Sequence, residues 1–242
     1  MHDKLKMFKG KSFSLVLPAY NEGLNIKKNI EAFIAINLFD EVIVVDNNSS
    51  DDTANEIKKT SCKYVEEKTQ GYGAAIRKGM AVSTGDYIVL CEPDGTFSAN
   101  DMDKFLAYLN DFDCVFGTRT SKPLIQKGAK MQFHLRYGNI LVAKVLEYLY
   151  FGPSLTDVGC TYKVISRNSY EKIKNELKVI GSEFQPELMI RILLTNIKVI
   201  EIPVNYLKRK GESKITYNFL VTFKLAIKML LLIFSIRIKT LF

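Results

Sequence analysis

The chain has 242 residues, 47% hydrophobic and 25% charged, which suits one sizeable α/β domain with a real core and is too short for two. A formal charge of +8 and a pI of about 9.1 fit nucleic acid, anionic lipid or phosphorylated substrates as partners. The cysteines (Cys62, Cys91, Cys114, Cys160) and histidines (His2, His134) are too scattered to signal a zinc site or a disulfide framework, and the pattern suits a reducing cytosol.

Residues 1–11 are charged and lack the apolar stretch of a signal peptide, so none is expected. Phe13 to Pro18 reads as a buried strand that Pro18 stops. Asn25 to Ile36 carries Ile26, Ile30, Phe33 and Ile34 at helical spacing. Glu41 to Asp46 is a nearly continuous β-branched run, as in parallel sheets. A polar loop, Asn47 to Asp52, follows, and Asp52 or Thr53 can cap a helix reaching about Thr60. Tyr64-Val65 is a short third strand, and Gly71 opens a loop that becomes a helix to Val82. Tyr87 to Cys91 is the fourth strand, Asp101 to Leu109 a helix and Cys114 to Thr118 the fifth strand.

The fourth strand ends in Glu92-Pro93-Asp94-Gly95. Residues two apart in an extended segment point the same way, so Glu92 and Asp94 can converge on Mg²⁺ or Mn²⁺ and, through it, a diphosphate. Pro-Asp-Gly is equally strong turn chemistry, in which the carboxylates are merely solvated. Alternating strands and helices predict a three-layer α/β domain, and ligands of such sheets bind outside the carboxyl ends of the strands. That rule gathers Tyr20, Glu22, Asp46, Glu92, Asp94 and Arg119 into one crevice, because each follows a strand.

Beyond the fifth strand, Lys122 to Gly152 reads as helical, Leu155 to Ile165 as a loop entering a strand, Glu187 to Leu194 as a helix and Val199 to Tyr206 as a strand. Lys208 to Lys214 is a basic loop. The final stretch, Ile215 to Phe242, is apolar, but Lys224 and Lys228 interrupt it and its longest charge-free run near the end is Met229 to Ile236. A membrane span needs about 20 apolar residues, so none is expected. On a helix, Lys224, Lys228 and Lys239 fall in one narrow stripe, Arg237 lies off it, and the rest of the surface is apolar. Such a helix can lie in a membrane interface, or pack on the core or on a partner subunit. The cluster of basic residues beside this apolar tail points to a membrane surface and away from nucleic acid.

The ordered set Leu17-Pro-Ala-Tyr-Asn-Glu22, Val44-Val-Asp46-Asn-Asn-Ser-Ser-Asp51, Gly71-Tyr-Gly-Ala-Ala-Ile-Arg77, Glu92-Pro-Asp94, Gly117-Thr-Arg119, Thr156-Asp157 and Arg209-Lys-Gly-Glu-Ser-Lys214 resembles the inverting GT-A glycosyltransferases that use nucleotide-diphospho sugars. Arg136-Tyr-Gly-Asn139, Phe184-Gln-Pro-Glu187 and the Gly211 to Lys214 loop are most similar to the polyprenyl-phosphate branch, the relatives of dolichyl-phosphate mannose synthase. The resemblance implies a Rossmann-like, mostly parallel sheet flanked by helices. It implies a catalytic domain over 1–214 and a membrane-interface tail over 215–242, at the cytoplasmic face of the membrane. It also implies transfer of a hexose from a UDP- or GDP-sugar to polyprenyl phosphate.

Residue roles follow from the same resemblance. Pro18, Tyr20 and Glu22 would line the base and ribose pocket, with Asp46 on the base and Arg77 in support. Asp94 would hold Mg²⁺ or Mn²⁺, with Glu92 at the metal or ribose. Arg119, Arg136 and Lys163 would hold the acceptor phosphate, Arg209 and Lys214 would face the donor phosphates, and Asp157 would act on the acceptor side. Glu92 stands where the family usually has Asp, and Lys163 where it usually has Arg. The chain lacks tryptophan and hence the QxxRW motif of processive synthases. Two other functions stay open. One is a peripheral glycosyltransferase extending a lipid-linked or surface glycan, with Asp157, Glu183 or Glu187 as base. The other is a nucleotide-sugar-binding module without turnover. The tail leaves open a lipid surface, a membrane-protein partner or a second copy of the chain.

Overall fold

The computed structural model describes residues 10–129, 131–209 and 219–240. Its centre is a seven-stranded sheet: β1 (Phe13–Ala19), β2 (Glu41–Asp46), β3 (Lys63–Glu66), β4 (Tyr87–Leu90), β5 (Cys114–Thr118), β6 (Lys163–Ser166) and β7 (Val199–Pro203), in the order β3-β2-β1-β4-β6-β5-β7. Every pairing is parallel except those of β6, which runs antiparallel to β4 and β5. Seven motifs legible in the chain could not reveal this reversal, because strand direction is set by where the connections run.

Alternation along the strands splits the core in two. Leu15, Leu17, Val44 and Val89 face one side and pack on α1 (Ile26–Ile34) and α4 (Met102–Leu106). Val16, Ile43, Val45 and Leu90 face the other and pack on α3 (Tyr72–Val82), α5 (Phe133–Tyr150), α7 (Phe184–Leu193) and α8 (Phe219–Lys239). Burying both faces explains why β1, β2 and β4 read as continuous apolar runs. Two short helices, α2 (Thr53–Lys58) and α6 (Arg167–Ile173), complete the layers.

Several boundaries differ from expectation. The helix expected over Asp101 to Leu109 is confined to α4, and the strand expected to reach Tyr206 stops at Pro203, with Tyr206 bridging Phe97 and Ile125. Helix α7 starts at Phe184, ahead of the expected Glu187. Neither Asp52 nor Thr53 caps α2 through its side chain; Asp51 instead accepts from the Thr53 N–H at 3.0 Å.

The tail helix α8 is docked. Met229, Ile233 and Ile236 are buried in the core cluster, and the Tyr150 hydroxyl donates to the Ile233 carbonyl at 2.7 Å. Its opposite side leaves Ile227, Leu231, Phe234 and Ile238 exposed beside the exposed Lys224, Lys228 and Lys239. Among the described residues no helix is long and apolar enough to cross a membrane. The Gly211 to Lys214 loop, and with it Lys214, lies outside the described residues.

Candidate active site

The loops after β1, β2 and β4 are tied into one crevice by side-chain hydrogen bonds. Asn21, with φ of 53°, accepts from the Ser50 N–H at 2.8 Å, and the Glu22 N–H donates to Thr53 Oγ1 at 2.8 Å. Asn47 Nδ2 donates to the Thr69 carbonyl at 2.8 Å, while its Oδ1 accepts from the Gly71 N–H at 2.8 Å. Gly71 is forced to be glycine: its φ is 152°, and a Cβ there would run into the Ile180 carbonyl that accepts from Gly73. These ties bring α3 and the loop before α7 to the edge of a cavity of about 480 Å³.

The β4 end carries the acidic centre. Gly95 has φ of 78° and Asn29 donates to the Pro93 carbonyl at 2.6 Å, so the Pro-Asp-Gly turn is real. Its carboxylate is nevertheless withdrawn from solvent: Asp94 is only 3% exposed. One oxygen, Oδ1, accepts from the Thr96 N–H and hydroxyl at 2.9 and 2.6 Å, which leaves Oδ2 directed at Arg209 Nη1, 3.1 Å away. Arg209 also pairs with Glu22, so one guanidinium bridges two acids at the cavity wall. Glu92 lines the same cavity. Burial first, and the nearby Asp94 charge second, push its carboxyl up to about 7, against the pull of Arg119 and Arg209.

This donor set fits a divalent cation. Mg²⁺ and Mn²⁺ in phosphate-transfer sites take one or two protein carboxylates and fill the remaining positions with phosphate oxygens. Two acids crowd a site whose cations do not fully compensate them, and Asp94 is already oriented by Thr96 with its second oxygen turned to positive charge. No cluster of three or more acidic, histidine or cysteine ligands occurs among the described residues, so the diphosphate would have to complete the shell.

Across the cavity stands Arg119. Its Nε and Nη2 donate to the two oxygens of Asp157 at 2.8 and 2.9 Å, its backbone N–H donates to Oδ2 at 2.9 Å, and its guanidinium lies 5.4 Å from the centre of the Tyr206 ring. Burial alone would raise the Asp157 carboxyl; the Arg119 charge and hydrogen bonds reverse this and hold it below the ordinary range. Behind Asp157, Glu201 of β7 accepts from the Thr156 N–H and hydroxyl and from the Asp157 N–H.

Pro18, Tyr20, Glu22, Glu92, Asp94, Arg119 and Arg209 therefore meet at one cavity. Five expected residues do not line it, one of them Asp157, which is held against Arg119 as described above. Asp46 is buried behind Asn47, its oxygens taken by the Ser49 N–H at 3.2 Å and the Tyr64 hydroxyl at 3.3 Å. Arg77 faces away, into a separate cavity beyond α3, and donates to the Lys178 carbonyl at 3.2 Å. Lys163 is fully buried inside β6, donating to the Cys160 carbonyl with its ammonium 5.5 Å from the Phe116 ring centre, because an inward position of an antiparallel strand points into the core. Arg136 donates to the Thr120 carbonyl at 2.7 Å, beside the Arg119 segment but off the cavity wall. Of the alternative bases, Glu187 accepts from the Lys178 and Val179 N–H groups, and Glu183 does not line the cavity.

Lining residues given no role by the sequence reading include Asn47, Tyr72 and Gln185, the last two joined by a 2.7 Å hydrogen bond. Each sits inside a motif quoted above, so the signal was present but not attached to a single residue. The far wall is apolar, made by Leu135 and Val142 of α5 and Leu225, Ala226 and Met229 of α8.

Comparison with known proteins bears on this arrangement. Residues 14–174 match the profile of glycosyl transferase family 2. A dolichyl-phosphate hexose transferase from Haloferax volcanii is 30% identical over 178 residues, covering 72% of this chain and 73% of that protein. The low-salt glycan biosynthesis hexosyltransferase Agl6 from the same organism is 27% identical over 210 residues, covering 84% of this chain; the chain spans only 50% of its length. Among solved structures, glucosyl-3-phosphoglycerate synthase from Mycobacterium tuberculosis with Mn²⁺, UDP and phosphoglyceric acid superposes with a TM-score of 0.74 at 18% identity, covering 95% of this chain and 79% of that one. The same enzyme has also been crystallised with Mg²⁺ and UDP. At that identity the likeness speaks for a shared GT-A fold.

Proposed function

The chain belongs to glycosyl transferase family 2 and is a glycosyltransferase; from that premise we propose that it moves a hexose, with inversion, from a UDP- or GDP-sugar to a polyprenyl phosphate at a membrane surface. The observation that carries the reading is the two-sided cavity. Its acidic and cationic end suits a nucleotide diphosphate, and its other wall, between α5 and α8, is apolar enough for an isoprenoid chain. On the same two helices, Phe133, Leu141 and Tyr148 of α5 and Leu231 and Phe234 of α8 are exposed, as an interfacial face requires.

In this reaction a phosphate oxygen of the acceptor attacks the anomeric carbon as the bond from that carbon to the donor diphosphate breaks. The bonding electron pair leaves with the nucleoside diphosphate. An acceptor phosphate is already ionised at neutral pH, so no base has to remove a proton. That matches the candidate bases: Asp157 has both oxygens committed to Arg119, and Glu187 is committed to backbone. Arg119 would grip the acceptor phosphate, for which a planar guanidinium is well suited. Arg209 would face the donor diphosphate. A divalent cation on Asp94, with Glu92 beside it, would offset the charge that develops on the leaving diphosphate.

A second reading, transfer to a hydroxyl of a lipid-linked or surface glycan, is favoured by Glu92 alone. It lines the cavity, and none of the described residues donates a hydrogen bond to its carboxylate, as a general base would require. One assay separates the two. The protein is incubated with radiolabelled UDP- or GDP-hexose, Mn²⁺ and either polyprenyl phosphate or a lipid-linked oligosaccharide. Label in a mild-acid-labile monophosphate lipid supports the first reading; label only on the oligosaccharide refutes it, and nucleotide binding without any transfer refutes both. Asp94→Asn should lower metal-stimulated turnover by about 100-fold or more, and a near-native rate would remove Asp94 from the site.

A further inference from the structure

Arg119 is useful as a phosphate clamp only if its guanidinium is held in one orientation, because a displacement of about 1 Å can cost about 100-fold in rate. Asp157 supplies part of that constraint, but it lies in the irregular segment before β6 and needs to be held itself. We propose that Glu201 is the residue that does so: a positioning residue that sets Arg119 through the Thr156-Asp157 segment.

Glu201 sits in the middle of β7, paired in register with Phe116 of β5, on rigid sheet backbone. Its Oε2 accepts from both the N–H and the hydroxyl of Thr156, each at 2.7 Å, and its Oε1 accepts from the Asp157 N–H at 3.1 Å. The Asp157 carboxylate, so placed, takes three hydrogen bonds from Arg119. The Thr156 hydroxyl also lies 2.8 Å from Thr118 Oγ1 and 2.9 Å from Thr120 Oγ1, the residues flanking Arg119. Glu201 thus holds the arginine from its carboxylate partner and from both neighbouring positions on its own strand end. It does not itself line the cavity, which distinguishes it from a residue that touches substrate. Glu201 is half-buried on the edge strand β7, and its carboxylate is turned to three donors of one segment, Thr156-Asp157.

The proposal rests on the reading of Arg119 as the acceptor-phosphate clamp, and the test keeps the two apart. Farnesyl phosphate serves as a soluble acceptor probe, with the UDP- or GDP-hexose that wild type turns over as donor. Glu201→Gln puts an NH₂ group against at least one of the three donors in either orientation. It should raise the acceptor KM by about 10- to 100-fold while the donor KM stays within about two-fold. Thr156→Val keeps the backbone donor and the side-chain volume, loses the hydroxyl, and should shift the acceptor KM in the same direction by less. An unchanged acceptor KM in a folded Glu201→Gln protein, or donor and acceptor constants rising by the same factor, overturns the proposal. Where Glu201→Gln fails to fold, Thr156→Val is judged by the same two criteria. Loss of farnesyl phosphate binding in Arg119→Gln with native binding in Glu201→Gln sinks the proposal and leaves the Arg119 reading standing. Farnesyl phosphate that wild type neither binds nor glycosylates overturns both.

Discussion

Replacing Asp157 by Asn exchanges a carboxylate oxygen for NH₂ and removes one charge from the buried Arg119–Asp157 ion pair. The Asp157 side chain is 0% exposed and that of Arg119 is 15% exposed. The carboxylate accepts from Arg119 three times and from the Gly159 N–H at 3.1 Å, two donors on each oxygen. An amide must turn its NH₂ toward two of those donors in either orientation. Breaking a buried pair on one side costs about 3–5 kcal/mol, and the cavity-facing edge of Arg119 argues for the lower end, about 3 kcal/mol. For a chain of this size that is a fall in Tm of roughly 6–12 °C. The effect depends on pH in a defined sense. The folded Asp157 carboxyl is held below its ordinary value of 3.8, so its contribution is complete above that value and is lost as pH falls through the folded pKa. Thermal melts of wild type and Asp157→Asn should therefore differ most at neutral pH and converge in acid. A neutral-pH difference under about 2 °C, or a gap that persists unchanged in acid, would refute the reasoning.

Lys163→Met should retain transfer activity, since Lys163 is off the cavity. Burial lowers the Lys163 ammonium from 10.5 to about 8, so the unfolded chain binds the extra proton and wild-type stability should rise between those values; urea titrations at several pH values should show this slope vanish in the variant. Tyr150→Phe removes the bond to the Ile233 carbonyl, at a cost of about 1 kcal/mol; limited proteolysis should cut residues 219–240 sooner than in wild type, and an unchanged pattern would show that the bond does not fasten α8. The pair Leu231→Ser and Phe234→Ser alters only exposed positions of α8. Flotation with anionic vesicles should weaken while the melting temperature holds, and undiminished flotation would dissociate this face from the membrane.

Much of the site was legible because its chemistry lies at strand ends, and strand ends are visible as apolar runs stopped by polar residues. Tyr20, Glu22, Glu92, Asp94 and Arg119 were placed together by that rule and do line one cavity. The same rule gathered Asp46, which is off the cavity wall with its oxygens taken by Ser49 and Tyr64. The placements drawn from the family resemblance missed where a residue's direction depends on a partner distant in sequence. Arg77 follows a motif glycine yet sits on the far side of α3, and Lys163 lies on a strand whose reversal points it into the core. Glu201 gave no local signal, since its three donors lie more than forty positions away.

By itself the sequence determined the α/β class, the order of strands and helices through β5, and the acidic pair at the end of β4. These are local matters of periodicity, β-branching and turn residues, written in contiguous segments. Tertiary structure alone decided the reversal of β6, the docking of α8 by one face only, and the links from Glu201 through Asp157 to Arg119. Those depend on which distant segments meet, and a hydrogen bond between residues 38 or 44 positions apart leaves no periodic trace in either segment. Tertiary structure also changed the meaning of the turn at Asp94: Pro93-Asp94-Gly95 is a turn, and packing around it converts a solvated carboxylate into a buried one facing Arg209.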